Sequence, residues 1–208
     1  MISLKHGFLF IHIPKTAGNS IQNVLKEYSE EKVVSIAPHQ DGVERFEVRS
    51  DDYTIQKHST LWDYQQQLGS DVIDRLFKFT CVRNPWDRMI SFYFSPHRGA
   101  VSWDREKFIA LVNEVKPGMN FVSSEDSAVT GKESFKNMDF YIRFEEIDEG
   151  FKDVCQRIEI PSIPLNQRNV SNHKHYSSYY DAESLELVRE RFCEEINFFG
   201  FKFKSTHI

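Results

Sequence analysis

The stretch "FLFIHIPKTAGNSIQNVLKEYS", residues 8–29, sets the fold. "FLFIHI" is apolar apart from His12 and reads as a buried strand. "SIQNVLKEY" places Ile21, Val24, Leu25 and Tyr28 at helical spacing, which predicts a helix over about 19–28. Between them runs a short loop with one cation, Lys15, and one glycine, Gly18. The first N–H groups of a helix have no intrahelical partner, and the helix dipole favours negative charge there. A strand, a small-residue loop and a helix start therefore make an anion site suited to phosphate or sulfate.

A second stretch repeats the design. "LFKFTCVRNPWDRMISFY", residues 76–93, begins as a strand over 76–82 and continues as a helix with Pro85 in its first turn. Arg83 lies at the strand end and Ser91 about two turns into the helix. Together they offer a charge-assisted donor and a hydroxyl to an anion lying beside the helix. The plain alternative from spacing alone is a structural salt bridge for Arg83 and a packing role for Ser91.

Working outward, the pattern alternates strand and helix. Strands are expected at 32–36, 52–59 (ending near His58) and 138–147. Helices are expected over 61–76 with a break near Gly69, over 103–115 and over 150–160. One long C-terminal helix runs from Ala182 to a cap at Gly200. Stretches 37–45, 122–137 and 161–181 read as loops. This order predicts one α/β domain over 1–208, with a mainly parallel central sheet flanked by helices. Ligands of such a sheet sit beyond the C-terminal strand ends, where both quoted loops fall.

Composition narrows the function classes. The formal net charge of −5 argues against general nucleic-acid binding. Cys81, Cys155 and Cys193 are odd in number, far apart and in apolar surroundings, so three buried free thiols and a reducing, cytoplasmic setting are expected. No apolar run approaches the roughly 20 residues of a membrane span, and no signal-peptide pattern is seen, so the chain reads as soluble.

The paired motifs, about 65 residues apart and each after a strand, carry a resemblance. "HIPKTAGNS" resembles the 5′-phosphosulfate-binding loop of sulfotransferases that use 3′-phosphoadenylyl sulfate (PAPS). "FTCVRNPWDRMISFY" resembles their 3′-phosphate-binding strand and helix. The tail "NVSNHKHYSSYYDAESLELVRERFCEEINFFGF" is similar to the C-terminal segment of the carbohydrate, heparan and chondroitin type and its bacterial relatives. Residues 37–52 and 116–137 match nothing nameable. Asn19 stands where the family often has Thr, and Gln167 where it often has His.

The resemblance implies a P-loop-NTPase-like sulfotransferase fold and transfer from PAPS to a hydroxyl, with a carbohydrate acceptor and no metal. Lys15 would stabilise the leaving phosphate. Thr16, Ala17, Gly18, Asn19 and Ser20 would hold the 5′-phosphosulfate, and Arg83 and Ser91 the 3′-phosphate. His58 resembles the histidine that the family places after this strand, and histidine is the side chain best tuned to take a proton near neutral pH. His39 and Glu47 are reserve bases, and His12 is expected to play a buried supporting part. His97, His173 and His175 lack Cys or acidic partners at metal spacing, so zinc is disfavoured. Two other readings stay open. A P-loop kinase or NTPase lacks support, because no GxxxxGK[ST] is present. A non-catalytic sulfonucleotide- or glycan-binding protein is disfavoured by the co-occurrence of Lys15, His58, Arg83 and Ser91.

Overall fold

In the computed structural model, residues 1–36, 43–124, 132–166 and 171–205 are described. The central sheet has the order β1-β2-β5-β6, from β1 (Ile2–Ser3), β2 (Phe8–Ile11), β5 (Phe77–Val82) and β6 (Phe140–Arg143). β1 is antiparallel to β2, whereas β2, β5 and β6 run parallel. All four residues of β2 are buried, as expected for a strand covered on both faces. Phe10 and Phe79 meet across the β2–β5 pair with ring centroids 5.2 Å apart. Each fully buried Phe contributes about 1.5–3 kcal/mol.

Helices cover the sheet. They are α1 (Gly18–Leu25), α2 (Leu61–Leu68), α3 (Ser70–Ile73), α4 (Pro85–Tyr93), α5 (Arg105–Glu114), α6 (Met119–Val122), α7 (Ile147–Arg157), α8 (Ala182–Arg191) and α9 (Cys193–Phe199). α2 starts with a capping box, Thr60 and Asp63 bonding each other's backbone N–H. α2 ends at Gly69, which has φ 86°, and α9 ends at Gly200 in the left-handed region. The parallel register pairs Ile11 with Thr80, so the loops after β2 and β5 leave the same edge of the sheet side by side.

Several elements depart from the sequence reading. Residues 52–59 form no strand. A turn joins Ser59 N–H to the Gln56 carbonyl, and the side chains of Gln67 and Ser59 accept from the Thr54 and Gln56 N–H groups. Those local bonds use donors that a sheet ladder would need. The strand there is instead β4 (Phe46–Arg49), which pairs with β3 (Lys32–Ser35) as a separate antiparallel ribbon. The expected long C-terminal helix is two helices, because Phe192, wedged into the core, leaves helical dihedrals at φ −112°, ψ 23°. A short helix, α6, appears just before the expected 122–137 loop. Cys81 and Cys155 are buried free thiols, but Cys193 is exposed at the start of α9. No helix among the described residues is long and apolar enough to cross a membrane.

Candidate active site

The loop after β2 is bent into an unusual shape. Lys15 and Ala17 both have positive φ, 70° and 64°, without being glycine. Left-handed backbone costs a non-glycine residue about 1–2 kcal/mol, and such outliers cluster at functional sites. Ala17 occupies the N-cap of α1 and supplies no side-chain cap. Among the described residues, the N–H groups of Gly18 and Asn19 donate to nothing, and the first helical bonds run from Ser20 and Ile21 to the Ala17 carbonyl. The helix start is therefore left open. Gly18 is required for a reason other than a flexible backbone. A Cβ there would sit 1.9 Å from the His12 ring, so the ring occupies the place of a side chain.

Two of the expected hydroxyls are already committed. Thr16 is buried, does not line the cavity described below, and donates to the Ile13 carbonyl at 2.8 Å. The Ser20 hydroxyl donates to the Asn166 carbonyl at 2.7 Å, drawing in the first part of the 161–181 loop. Lys15 Nζ donates to Ser95 Oγ at 3.2 Å. Burial first, then the nearby charges of Arg83 and Lys57, push the Lys15 ammonium down to about 8.

The entry to α4 has a side-chain cap, unlike that of α1. Asn84 at the N-cap accepts from the Trp86 N–H at 3.1 Å, and Pro85 has no N–H to offer. The anion-binding capacity of this unit lies in its side chains. Arg83 Nε donates to Asp87 Oδ2 at 2.7 Å, Nη1 donates to the Lys15 carbonyl at 3.2 Å, and the guanidinium lies 4.1 Å from the Phe144 ring. Arg83 is thus in a structural salt bridge and also faces the cavity, together with the buried Ser91. Arg88, one turn on, is a buried strut. Its Nε donates to the Pro14 carbonyl at 3.0 Å and Nη2 to the Lys116 carbonyl at 3.2 Å, with Glu195 as its counter-charge.

His58 lies within the Gln56–Ser59 turn. Its Nδ1 lies 3.0 Å from the His12 carbonyl, and its ring centroid is 4.3 Å from that of His12. A carbonyl can only accept, so Nδ1 carries the hydrogen and Nε2 the lone pair. Burial lowers the His58 imidazole below its ordinary range, and burial with the neighbouring His58 and Lys57 lowers His12 further. Both rings are therefore neutral at pH 7. Lys57 Nζ sits 3.7 Å from the centroid of the Phe46 ring, and desolvation takes it down to about 8.

These groups surround one cavity of about 640 Å3. It brings together Lys15, Ala17, Gly18, Asn19, Ser20, His58, Arg83 and Ser91. Three cations, Lys15, Lys57 and Arg83, face it, against the single lining carboxylate of Asp148 among the described residues. The formal charge of the described lining residues is therefore net positive. The sequence model of the sulfotransferase family matches residues 1–202. The chain belongs to the sulfotransferase family. Comparison with curated proteins and with solved structures gave no match. As a sulfotransferase, the protein transfers a sulfuryl group, and the family implies a hydroxyl acceptor.

Some of this sulfotransferase's cavity was not foreseen. Lys57, Phe144 and Asp148 line it, and Ser95 both lines it and meets Lys15. Lys57 was legible as the neighbour of His58; Phe144 and Asp148 come from the β6–α7 junction, which only the tertiary fold brings near. Glu47 lies on β4 outside the cavity lining, and acts on Lys57 and His58 only through its charge. His97 and His173 line the cavity, and no cluster of three potential metal ligands forms among the described residues. His39 and Gln167 lie outside the described residues.

Proposed function

We propose that this sulfotransferase moves the sulfuryl group of PAPS to a hydroxyl of a carbohydrate. The observation that supports the donor is the meeting, in one cavity, of an open helix start with Lys15 and a second anion-binding pair, Arg83 and Ser91. PAPS carries anionic groups at both its 5′ and 3′ ends, whereas ATP lacks the 3′-phosphate. The carbohydrate acceptor follows from the resemblance of the loop motifs and the tail.

In this reading, Lys15 and the N–H groups of Gly18 and Asn19 receive the 5′-phosphosulfate. Arg83 and the Ser91 hydroxyl receive the 3′-phosphate. His58 Nε2 takes the proton of the acceptor hydroxyl. The acceptor oxygen forms the new S–O bond as the S–O bond to the donor phosphate breaks, and the electron pair stays on the phosphate oxygen. Lys15 stabilises that growing charge. His58 then passes its proton to water. A metal has no part in this sequence.

Thermal unfolding with the desulfated product PAP, against ATP, tests the reading. PAP at a hundred times its Kd stabilises by about 2.7 kcal/mol through mass action, and ATP at the same concentration stabilises much less. Turnover of PAPS persists in EDTA. Equal stabilisation by ATP and PAP, or magnesium-dependent turnover, refutes it.

A further inference from the structure

A second cavity, of about 320 Å3, meets the first at His58. Its walls are His58, Thr60, Trp62, Asp63, Lys116, Asn120 and Phe121, and among the described residues it shares only His58 with the larger cavity. Its volume falls near the lower bound of small-molecule sites, roughly 300–1,000 Å3. The residue common to both spaces is the one whose Nε2 carries a lone pair.

The second cavity is a fixed feature of the fold. The capping box of α2 immobilises Thr60 and Asp63, with the Asp63 carboxylate accepting from the Thr60 N–H at 2.7 Å. On the opposite wall, the fully buried Arg88 holds the Lys116 carbonyl with one nitrogen and the Pro14 carbonyl of the anion loop with another. One guanidinium thus sets the distance between the wall of the small cavity and the loop of the large one. Glu195, paired with Arg88, also accepts from the Gly118 N–H just before α6, which fixes the segment leading to Asn120 and Phe121.

Trp62 gives the cavity its chemical character. It is half-buried and lies outside the hydrophobic core, although the helix that carries it packs there through Leu61 and Tyr64. An indole that lies outside the core and lines a polar space can offer an apolar face beside hydrogen-bonding groups. Asp63, Asn120 and Lys116 line the same cavity and bring hydrogen-bonding residues beside it. A flat face for C–H groups, ringed by donors and acceptors, fits a pyranose ring and its hydroxyls.

We propose that this second cavity is the acceptor subsite, holding one sugar ring against Trp62 with a hydroxyl directed at His58. The proposal rests on the sulfotransferase reading above and adds to it the place and chemistry of the acceptor. Lys15 and Arg83 line the donor cavity, Trp62 and Asn120 the adjoining one, and the two meet at His58, where the hydroxyl would face the sulfuryl group.

The test measures sulfuryl transfer from PAPS to a panel of neutral and uronate-containing oligosaccharides, with PAP affinity measured in parallel. It uses wild type, Trp62→Ala and Trp62→Phe. Truncating an aromatic anchor at the centre of a contact raises the acceptor KM by roughly 10- to 30-fold. Trp62→Phe recovers most of that loss, and PAP affinity stays at the wild-type value in both. An unchanged acceptor KM in Trp62→Ala overturns the assignment, as does a matching loss of PAP affinity. PAP binding and PAPS cleavage without transfer to any oligosaccharide removes the sugar while leaving the donor site intact. Absence of PAP binding altogether defeats the underlying reading, and the acceptor subsite falls with it.

Discussion

β2 and β5 each run through a short loop into a helix, side by side at one edge of the same parallel sheet, yet the two helix entries are finished in opposite ways. At α1 the N-cap is Ala17 in the left-handed region, with no side-chain cap, and the N–H groups of Gly18 and Asn19 stay open. At α4 the Asn84 side chain takes the Trp86 N–H, and Pro85 removes another donor. The first unit offers backbone dipoles and an ammonium; the second offers a guanidinium and a hydroxyl on a helix with a side-chain cap. Open N–H groups and Lys15 suit charge that grows during reaction. A guanidinium already fixed by Asp87 and Phe144 suits charge that is present throughout. On the proposed reading, turnover rests on the first unit and affinity on the second.

The largest effects belong to the first unit. His58 hangs from the His12 carbonyl, just past β2, so it counts with that unit. His58→Ala lowers single-turnover transfer by about 10²–10⁴, the usual worth of a positioned base. Lys15→Ala lowers it by about 10²–10³, by analogy with removing an oxyanion donor. PAP affinity barely moves in His58→Ala and moves less than turnover in Lys15→Ala. The wild type loses activity as pH falls below the usual histidine range, because protonated His58 accepts nothing. Its lowered pKa places that limb below about 6.5. Stability falls in the same direction, since the folded state resists a proton that the unfolded chain takes up. A melting curve at each pH separates the two effects. Near-normal transfer by His58→Ala would move the base to another residue.

Much of this arrangement was legible because the chemistry sits where periodicity changes. The β2–α1 and β5–α4 junctions showed as apolar runs breaking into Pro, Gly, Lys and Arg, and both lie at parallel strand ends as read. What was hidden depended on contacts between distant segments. The reason for Gly18 is the His12 ring, six positions earlier in the sequence. Residues 52–59 alternate like a strand, but the Gln67 and Ser59 side chains capture its donors. The reach of Arg88 from Pro14 to Lys116 spans three segments, and no local pattern encodes it. The second cavity escaped for the same reason: α2 and α6 meet only in the folded chain.

In the second unit, Arg83→Ala weakens PAP binding by about 10- to 150-fold, the worth of roughly 1.5–3 kcal/mol for a hydrogen bond to a charged group. Ser91→Ala weakens it less, because its hydroxyl is neutral. Arg83 also supports the Lys15 carbonyl, so its loss lowers turnover at saturating PAPS somewhat, but by a smaller factor than Lys15→Ala. The ratio of affinity loss to turnover loss, measured by calorimetry and rapid quench, is the quantity that decides. Arg83→Ala with unchanged PAP affinity would reverse the assignment of the second unit.

The smallest effect is a pH slope that marks the crowding of cations in the cavity. Lys15 and Lys57 are each held down to about 8, chiefly by desolvation, and Lys15 also by the neighbouring charges of Arg83 and Lys57. A bound anion favours the charged ammonium, so binding raises both values and draws in protons above about pH 8. PAP affinity is therefore nearly level from about pH 6.5 to 7.5 and falls as pH rises through 8. The limit is about tenfold per pH unit for each coupled proton. The phosphates of PAP, with a second pKa near 6, are already fully ionised there and contribute no slope. Lys15→Met removes the part of the slope that Lys15 carries and leaves the part due to Lys57. Calorimetry in two buffers of different ionisation enthalpy counts the protons directly. An affinity that stays level from about pH 7 to about pH 10 would show that the open helix entry, and not the lysine charge, holds the 5′ group. Lys15 would then act on turnover alone.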